Sequence, residues 1–133
     1  MDWTRYLPLL GRLLIGIPFL ISGIGKVSAY AGTVAYISSV GLPLAPLGWV
    51  IAVIVEIGGG ILLLVGVRTR IVALVLALFT LSTAAFFHNH LADRNQMIHF
   101  FKNMMIVGGL LQIVHFGPGR VSWDYRFKKE EGV

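Results

Sequence analysis

WVIAVIVEIGGGILLLVGV, residues 49–67, decides the reading of this chain. The run from Trp49 to Val67 is apolar and long enough to cross a bilayer, which needs about 20 such residues. One carboxylate, Glu56, interrupts it. The other acids, Asp2, Asp93, Asp124, Glu130 and Glu131, lie at the chain ends or in one loop. A charged side chain at the centre of a spanning helix costs about 2.5–3.5 kcal/mol on insertion scales, so such a residue marks a functional site or a buried partner.

Composition places the rest of the chain in the same environment. Of 133 residues, 56% are hydrophobic and 13% charged, and the mean hydropathy is +0.82. Soluble domains carry about 25% charged residues. The reading is therefore one integral membrane domain over residues 1–133. Its spans are expected at about residues 9–27, 49–67, 71–88 and 97–116, with a tail at 117–133. Pro18 inside the first span should free the Leu14 carbonyl and bend the helix mildly. Gly117-Pro118-Gly119 stops the last span. Leu13 to Gly25 followed by Ala29-Tyr30-Ala31 resembles a cleavable leader, but Arg12 and Lys26 bracket the apolar run, which favours an uncleaved first span.

The segment from Ser28 to Gly48 is uncharged. Tyr30, Val34, Ile37 and Gly41 recur at helical spacing before Gly41-Leu42-Pro43 ends the pattern. A short interfacial helix is expected there, with a packed loop as the alternative. Arg5, Arg68, Arg70, Arg120, Arg126, Lys128 and Lys129 all fall on one side, so both termini are expected in the cytoplasm. The net charge of +5 is explained by this bias, and no basic patch suits nucleic acid. With no cysteine, disulfides, thiolate nucleophiles and cysteine-held Fe–S clusters are excluded. No metal site is expected.

Helical spacing then aligns the polar residues. Arg12, Gly16, Phe19, Gly23 and Lys26 form one stripe on the first span, where the glycines permit close helix approach. Glu56 shares a face with Trp49, Ala52, Gly59, Gly60 and Leu63. His88 shares one with Ala84, Leu81 and Ala77, and His99 with Lys102, Asn103, Ile106 and Leu110. At a rise of about 1.5 Å per residue, Glu56 lies roughly 10 Å below Trp49, and Lys102 roughly 7–8 Å below Met97. Lys102 is thus the best depth match for Glu56, while Lys26, His88 and His99 lie nearer the outer mouth. Arg12, at the inner end, is expected to snorkel. The candidate pocket comprises Glu56, Lys102, Asn103, Lys26, His88, His99 and Phe19. Arg12, Gly23, Gly59, Arg68 and Arg70 are assigned to structure and topology. A purely structural Glu–Lys pair that sets helix register is the competing reading.

At these residues the chain resembles the DoxX family of small bacterial inner-membrane proteins. The matching pieces are Arg12-Leu13-Leu14, Ser22-Gly23-Ile24-Gly25-Lys26, Tyr30-Ala31-Gly32-Thr33, Gly41-Leu42-Pro43 and Glu56-Ile57-Gly58-Gly59-Gly60. Phe87-His88, Phe101-Lys102-Asn103 and Gly117-Pro118-Gly119 with Ser122 and Asp124 complete the series. The resemblance implies a four-helix membrane bundle in the bacterial inner membrane. The family takes its name from a subunit of a thiosulfate:quinone oxidoreductase, and other members are linked to oxidative stress and to redox complexes. That context raises quinone or a similar lipophilic molecule as the ligand. The chain lacks any flavin or nicotinamide fingerprint, so no intrinsic cofactor is expected and electrons would come from a soluble redox partner. The expected protein is a membrane subunit or binder rather than a self-sufficient enzyme. A scaffold for such an enzyme, a proton-coupled transporter and a haem held by His88 and His99 are the alternatives. Gly58-Gly59-Gly60 and Gly108-Gly109 suit a homodimer, the favoured reading, or packing within one chain.

Overall fold

The structure, a computed structural model, describes residues 3–130. Asp2 and residues 131–133 of the expected tail lie outside the described residues, as does the Glu130 side chain. Among the described residues, four helices are long and apolar enough to cross a membrane. Span one is Leu7–Ser28, entered through a short 3-10 turn at Trp3–Arg5. Span two is Ala45–Val65, span three Thr69–Phe87 and span four Arg94–Phe116. The helix Tyr30–Ser39 caps the bundle between spans one and two, and a tail helix follows at Trp123–Glu130. The end of the bundle near both termini is called basal here, and the other distal.

Every span begins or ends within four residues of its expected limit, and each difference has a local cause. Span two starts early because Pro46 suits a first helical turn. It stops at Gly66, whose φ of +83° is left-handed, and the amides of Gly66 and Val67 both return to the Leu62 carbonyl. Span four starts at Arg94 because the Asp93 carboxylate accepts from the amides of Asn95 and Gln96, a satisfied N-cap. Span one runs through Pro18 without interruption.

The core lies among spans two, three and four, built from Leu63, Val72, Ala73, Leu76, Ala77, Val107 and Leu110, with Ile15 and Phe19 of span one packed on it. Small residues on span three let span four pack closely along it. Two expected faces are corrected. Leu81 is exposed, and span three turns Val72, Ala73, Leu76, Ala77, Thr80 and Ala84 inward. On span four, His99 and Lys102 are exposed, while Val107 and Leu110 are buried and Asn103 and Ile106 half-buried. The small side chains of span three attract the span-four face that begins one position later.

Spans one and two cross closely. A Cβ added at Gly23 would stand 2.6 Å from Ile57 Cγ1 and 3.0 Å from both Glu56 Cβ and the Ile57 backbone nitrogen. Gly23→Val should therefore destabilise the bundle by about 1–3 kcal/mol through overpacking. Gly25→Ala, which meets nothing within 4 Å, should be nearly neutral. Unfolding in SDS–detergent mixtures checks the pair, and equal effects would show that the crossing is not tight.

The basal end contains the largest departure from the sequence expectations. Arg12 does not snorkel. It is 1% exposed and donates to four carbonyls: Leu63 and Leu64 of span two at 3.0 Å each, Pro118 at 3.1 Å, and Val121. The segment before the tail helix is tied to the bundle, while Arg126 to Lys129 are exposed. The Asp124 carboxylate accepts from the amides of Arg68 (2.7 Å) and Thr69 (2.8 Å) and from Thr69 Oγ1 (2.8 Å). It caps span three from a distant part of the chain. The Asp124 amide in turn donates to the Gly66 carbonyl. Helix-end carbonyls in an apolar medium need donors, and a guanidinium with five N–H groups can serve several at once.

Candidate functional site

Span two is not a uniform α-helix. Ile54–Gly58 forms a π-helical turn, and Glu56 sits at its centre. The inserted residue advances the helical face by about 100°. π-turns of this kind recur at functional sites.

Glu56 meets Lys26, not Lys102. Lys26 Nζ donates to both carboxylate oxygens, at 3.0 and 2.9 Å, and to Ser22 Oγ at 2.9 Å. The Glu56 side chain is 7% exposed and that of Lys26 29%. All three ammonium donors are engaged, so the pair is electrically neutral and internally satisfied. Trp49 Nε1 donates to the Lys26 carbonyl at 2.7 Å, which fixes the backbone that carries the ammonium. Ser22 accepts from Lys26 and keeps its own O–H as a donor.

This pair borders a cavity of about 850 Å³. Drug-sized sites span about 300–1,000 Å³, with apolar walls and few polar groups. The walls here include Phe19, Ile51, Val55, Val75, Phe79 and Ile106. A second polar group lies on spans three and four, where Asn103 Nδ2 donates to Thr83 Oγ1 at 3.4 Å and His88 also lines the cavity. Of the residues expected in a pocket, the cavity gathers Glu56, Lys26, Asn103, His88 and Phe19; Lys102 and His99 are not among its lining.

His88 and His99 do meet each other. Their rings stack at 5.1 Å with 27° between planes, and His88 Nδ1 lies 3.1 Å from Gln96 Oε1. Rings stacked in this way cannot aim nitrogens at one iron from opposite sides, so the geometry does not suit a bis-histidine haem. Among the described residues, no group of three or more potential metal-ligating side chains comes together.

Ser22, Thr33, Tyr36, Thr80 and Thr83 also line the cavity and were missed in the sequence. Ser22 was readable, one turn before Lys26 on the same face. The hydroxyls of span three carry no distinguishing pattern, because Thr80 and Ser82 also satisfy a spanning helix by bonding the carbonyls of Leu76 and Leu78. Of the residues assigned to structure, Gly59 packs on Leu76, and the Arg70 guanidinium lies against Gly117. Arg68 acts through its backbone amide.

Four apolar spans, an interfacial helix and a polar pair held at depth define an all-α integral membrane protein. A family model described as DoxX matches residues 7–89, and the chain belongs to the DoxX family. The inner membrane protein YqjF of Escherichia coli (strain K12) is 41% identical over 92% of each chain. The inner membrane protein YphA of the same organism is 36% identical over 89% of this chain and 88% of its own. A Bacillus subtilis (strain 168) protein named "Putative oxidoreductase CatD" is 41% identical over 53% of this chain and 51% of its own. No solved structure matches.

Proposed function

We propose that this protein is an inner-membrane binder, or a membrane subunit, for a quinone or closely similar lipophilic molecule, with both termini in the cytoplasm. The observation that carries this reading is an apolar cavity bordered by the Lys26–Glu56 ion pair on one side and by Asn103 and Thr83 on the other. Quinone carbonyls need hydrogen-bond donors, and Ser22 O–H and Asn103 Nδ2 are donors bordering one space. Reduction to the quinol takes up two protons with two electrons. Glu56 is the carboxylate placed to pass protons, and the electrons come from a redox partner protein. The names of YqjF and YphA support the membrane, and that of CatD, over its shorter match, supports the redox context. The basic residues at the basal end support the orientation.

The test is quinone binding to purified protein, followed by tryptophan quenching or calorimetry. Glu56→Gln and Asn103→Leu should each weaken binding by about tenfold or more, near 1.4 kcal/mol. Lys102→Met, an exposed position outside the cavity wall, should leave it unchanged. A wild-type protein that binds no quinone, or equal affinity in all three variants, removes the reading.

A further inference from the structure

The cavity is closed on some sides and not on others. Its distal side is covered by the helix Tyr30–Ser39 and the loop after it, which contribute Thr33, Tyr36, Ile37 and Leu42 to the wall. Two aromatic contacts hold that cover down: Tyr30 meets Trp49 edge to face at 4.8 Å, and Tyr36 stacks on Phe87 at 5.0 Å. Toward the basal end, Leu63 and Leu76 are fully buried, and Ile15 reaches to within 3.3 Å of the Cβ position at Gly109. The cavity therefore has a cover on one side and core on the other.

Between spans one and three there is neither. The backbones of these two helices make little close contact. The cavity-lining residues of these two spans include Leu14, Pro18 and Ser22 on span one and Leu78, Ser82 and Phe86 on span three. All six line the cavity, and all six are also exposed on the outside of the bundle. Leu14 is 67% exposed, Leu78 56% and Phe86 50%. A residue that is both cavity wall and bundle surface marks an opening. At this depth the surroundings are hydrocarbon, so the opening faces lipid. Eight residues separate Leu14 from Ser22 and Leu78 from Phe86, which gives a slot about 12 Å tall.

We infer that the slot between spans one and three is a lateral portal, and that the ligand is an uncharged, carbonyl-bearing head group on a long apolar tail. The head reaches the Ser22 hydroxyl, beside the Lys26–Glu56 pair, from within the bilayer, and the tail stays in the slot between Leu14 and Leu78 and runs out into lipid. This rests on the proposed reading of the cavity and adds the route and the shape of the ligand. An uncharged head follows from the pair itself. Lys26 spends its charge on Glu56, so no net positive charge is left to hold a phosphate. The tail follows from the wall, which is hydrocarbon along the slot except for two hydroxyls. Ser82 Oγ is already bonded to the Leu78 carbonyl, and Ser22 belongs to the head-group end.

The experiment compares two probes on protein in lipid nanodiscs: a dimethoxy-methyl-benzoquinone with a decyl tail, and the same quinone with none. Leu78→Trp combined with Ser82→Trp fills the slot from the lipid side. The tailed quinone should lose about tenfold or more in affinity, and the tailless one should change by less than about twofold. Each single substitution should give part of the loss. Leu81→Trp, exposed on the same span but outside the cavity wall, should leave both probes unchanged. Retained tailless binding reports that the filled variant is folded. Equal loss of both probes, or no loss of the tailed one, overturns the portal while leaving the cavity reading in place. If neither quinone binds the unmodified protein, both proposals fall.

Discussion

Arg12→Met is expected to destabilise the folded bundle by about 3–5 kcal/mol, because a buried guanidinium that serves several carbonyls is lost. The side chain is fully buried and serves four carbonyls on two parts of the chain. Methionine fills similar space but donates nothing. The Leu63 and Leu64 carbonyls then lose a donor where span two ends, and those of Pro118 and Val121 lose theirs where the tail turns. Hydrogen bonds to charged groups are worth about 1.5–3 kcal/mol each, and a buried polar atom left unpaired costs a similar amount. Partial relaxation keeps the total below the sum. Arg12→Lys should fall between the two, since one ammonium cannot span the fork of a guanidinium. SDS-induced unfolding measures the stability. Limited trypsin digestion measures the tail, because Arg126, Lys128 and Lys129 should become cleavable faster once Arg12 no longer holds the segment before them. A Met variant with wild-type stability and an equally protected tail would show that Arg12 is not the tie.

The second large effect is an asymmetry in the Lys26–Glu56 pair. Lys26→Leu should cost more than Glu56→Leu. Removing Lys26 leaves a carboxylate that is 7% exposed with no cation, whereas removing Glu56 leaves an ammonium that is 29% exposed and can reach toward the distal interface on its four-carbon stem. About 3 kcal/mol or more is expected for Lys26→Leu and roughly half that for Glu56→Leu. The double variant should recover much of the larger loss, since well-packed apolar replacements of buried ion pairs are often neutral. A double-mutant cycle in SDS–detergent mixtures measures the coupling. Equal single effects that simply add would show that the two charges act independently.

The pair also shows how much of the site could be read in advance. Glu56 was conspicuous because its price in an apolar span is independent of tertiary detail. Its partner was not legible. Depth follows from rise per residue, and on depth Lys102 was the better match. Azimuth follows from which face of each helix packs, and on span four that choice lies between Lys102 and Asn103, which are adjacent. The small side chains of span three select the face with Asn103, so Lys102 turns outward. The π-turn at Ile54–Gly58 then shifts the carboxylate relative to the rest of span two, a change that no 3.6-residue template contains. The first-span stripe was legible because it is long and regular: Arg12, Gly16 and Gly23 are buried and Lys26 half-buried on that one face. Asp124 was invisible as a cap, since its amide partners, Arg68 and Thr69, lie more than fifty positions away.

Composition and spacing by themselves determined that this is a membrane bundle of four helices, with a short helix after the first, basic residues gathered at one end and one carboxylate in need of a partner. Each of these is a property of a single segment in hydrocarbon, where backbone bonds must close within the helix and charge must be compensated. Tertiary structure alone decided that Lys26 is that partner, that Arg12 binds the tail rather than the lipid interface, and that spans one and three stand apart around a cavity. Those outcomes depend on how each helix is rotated about its axis, and that rotation is set by the shapes of the neighbours it packs against.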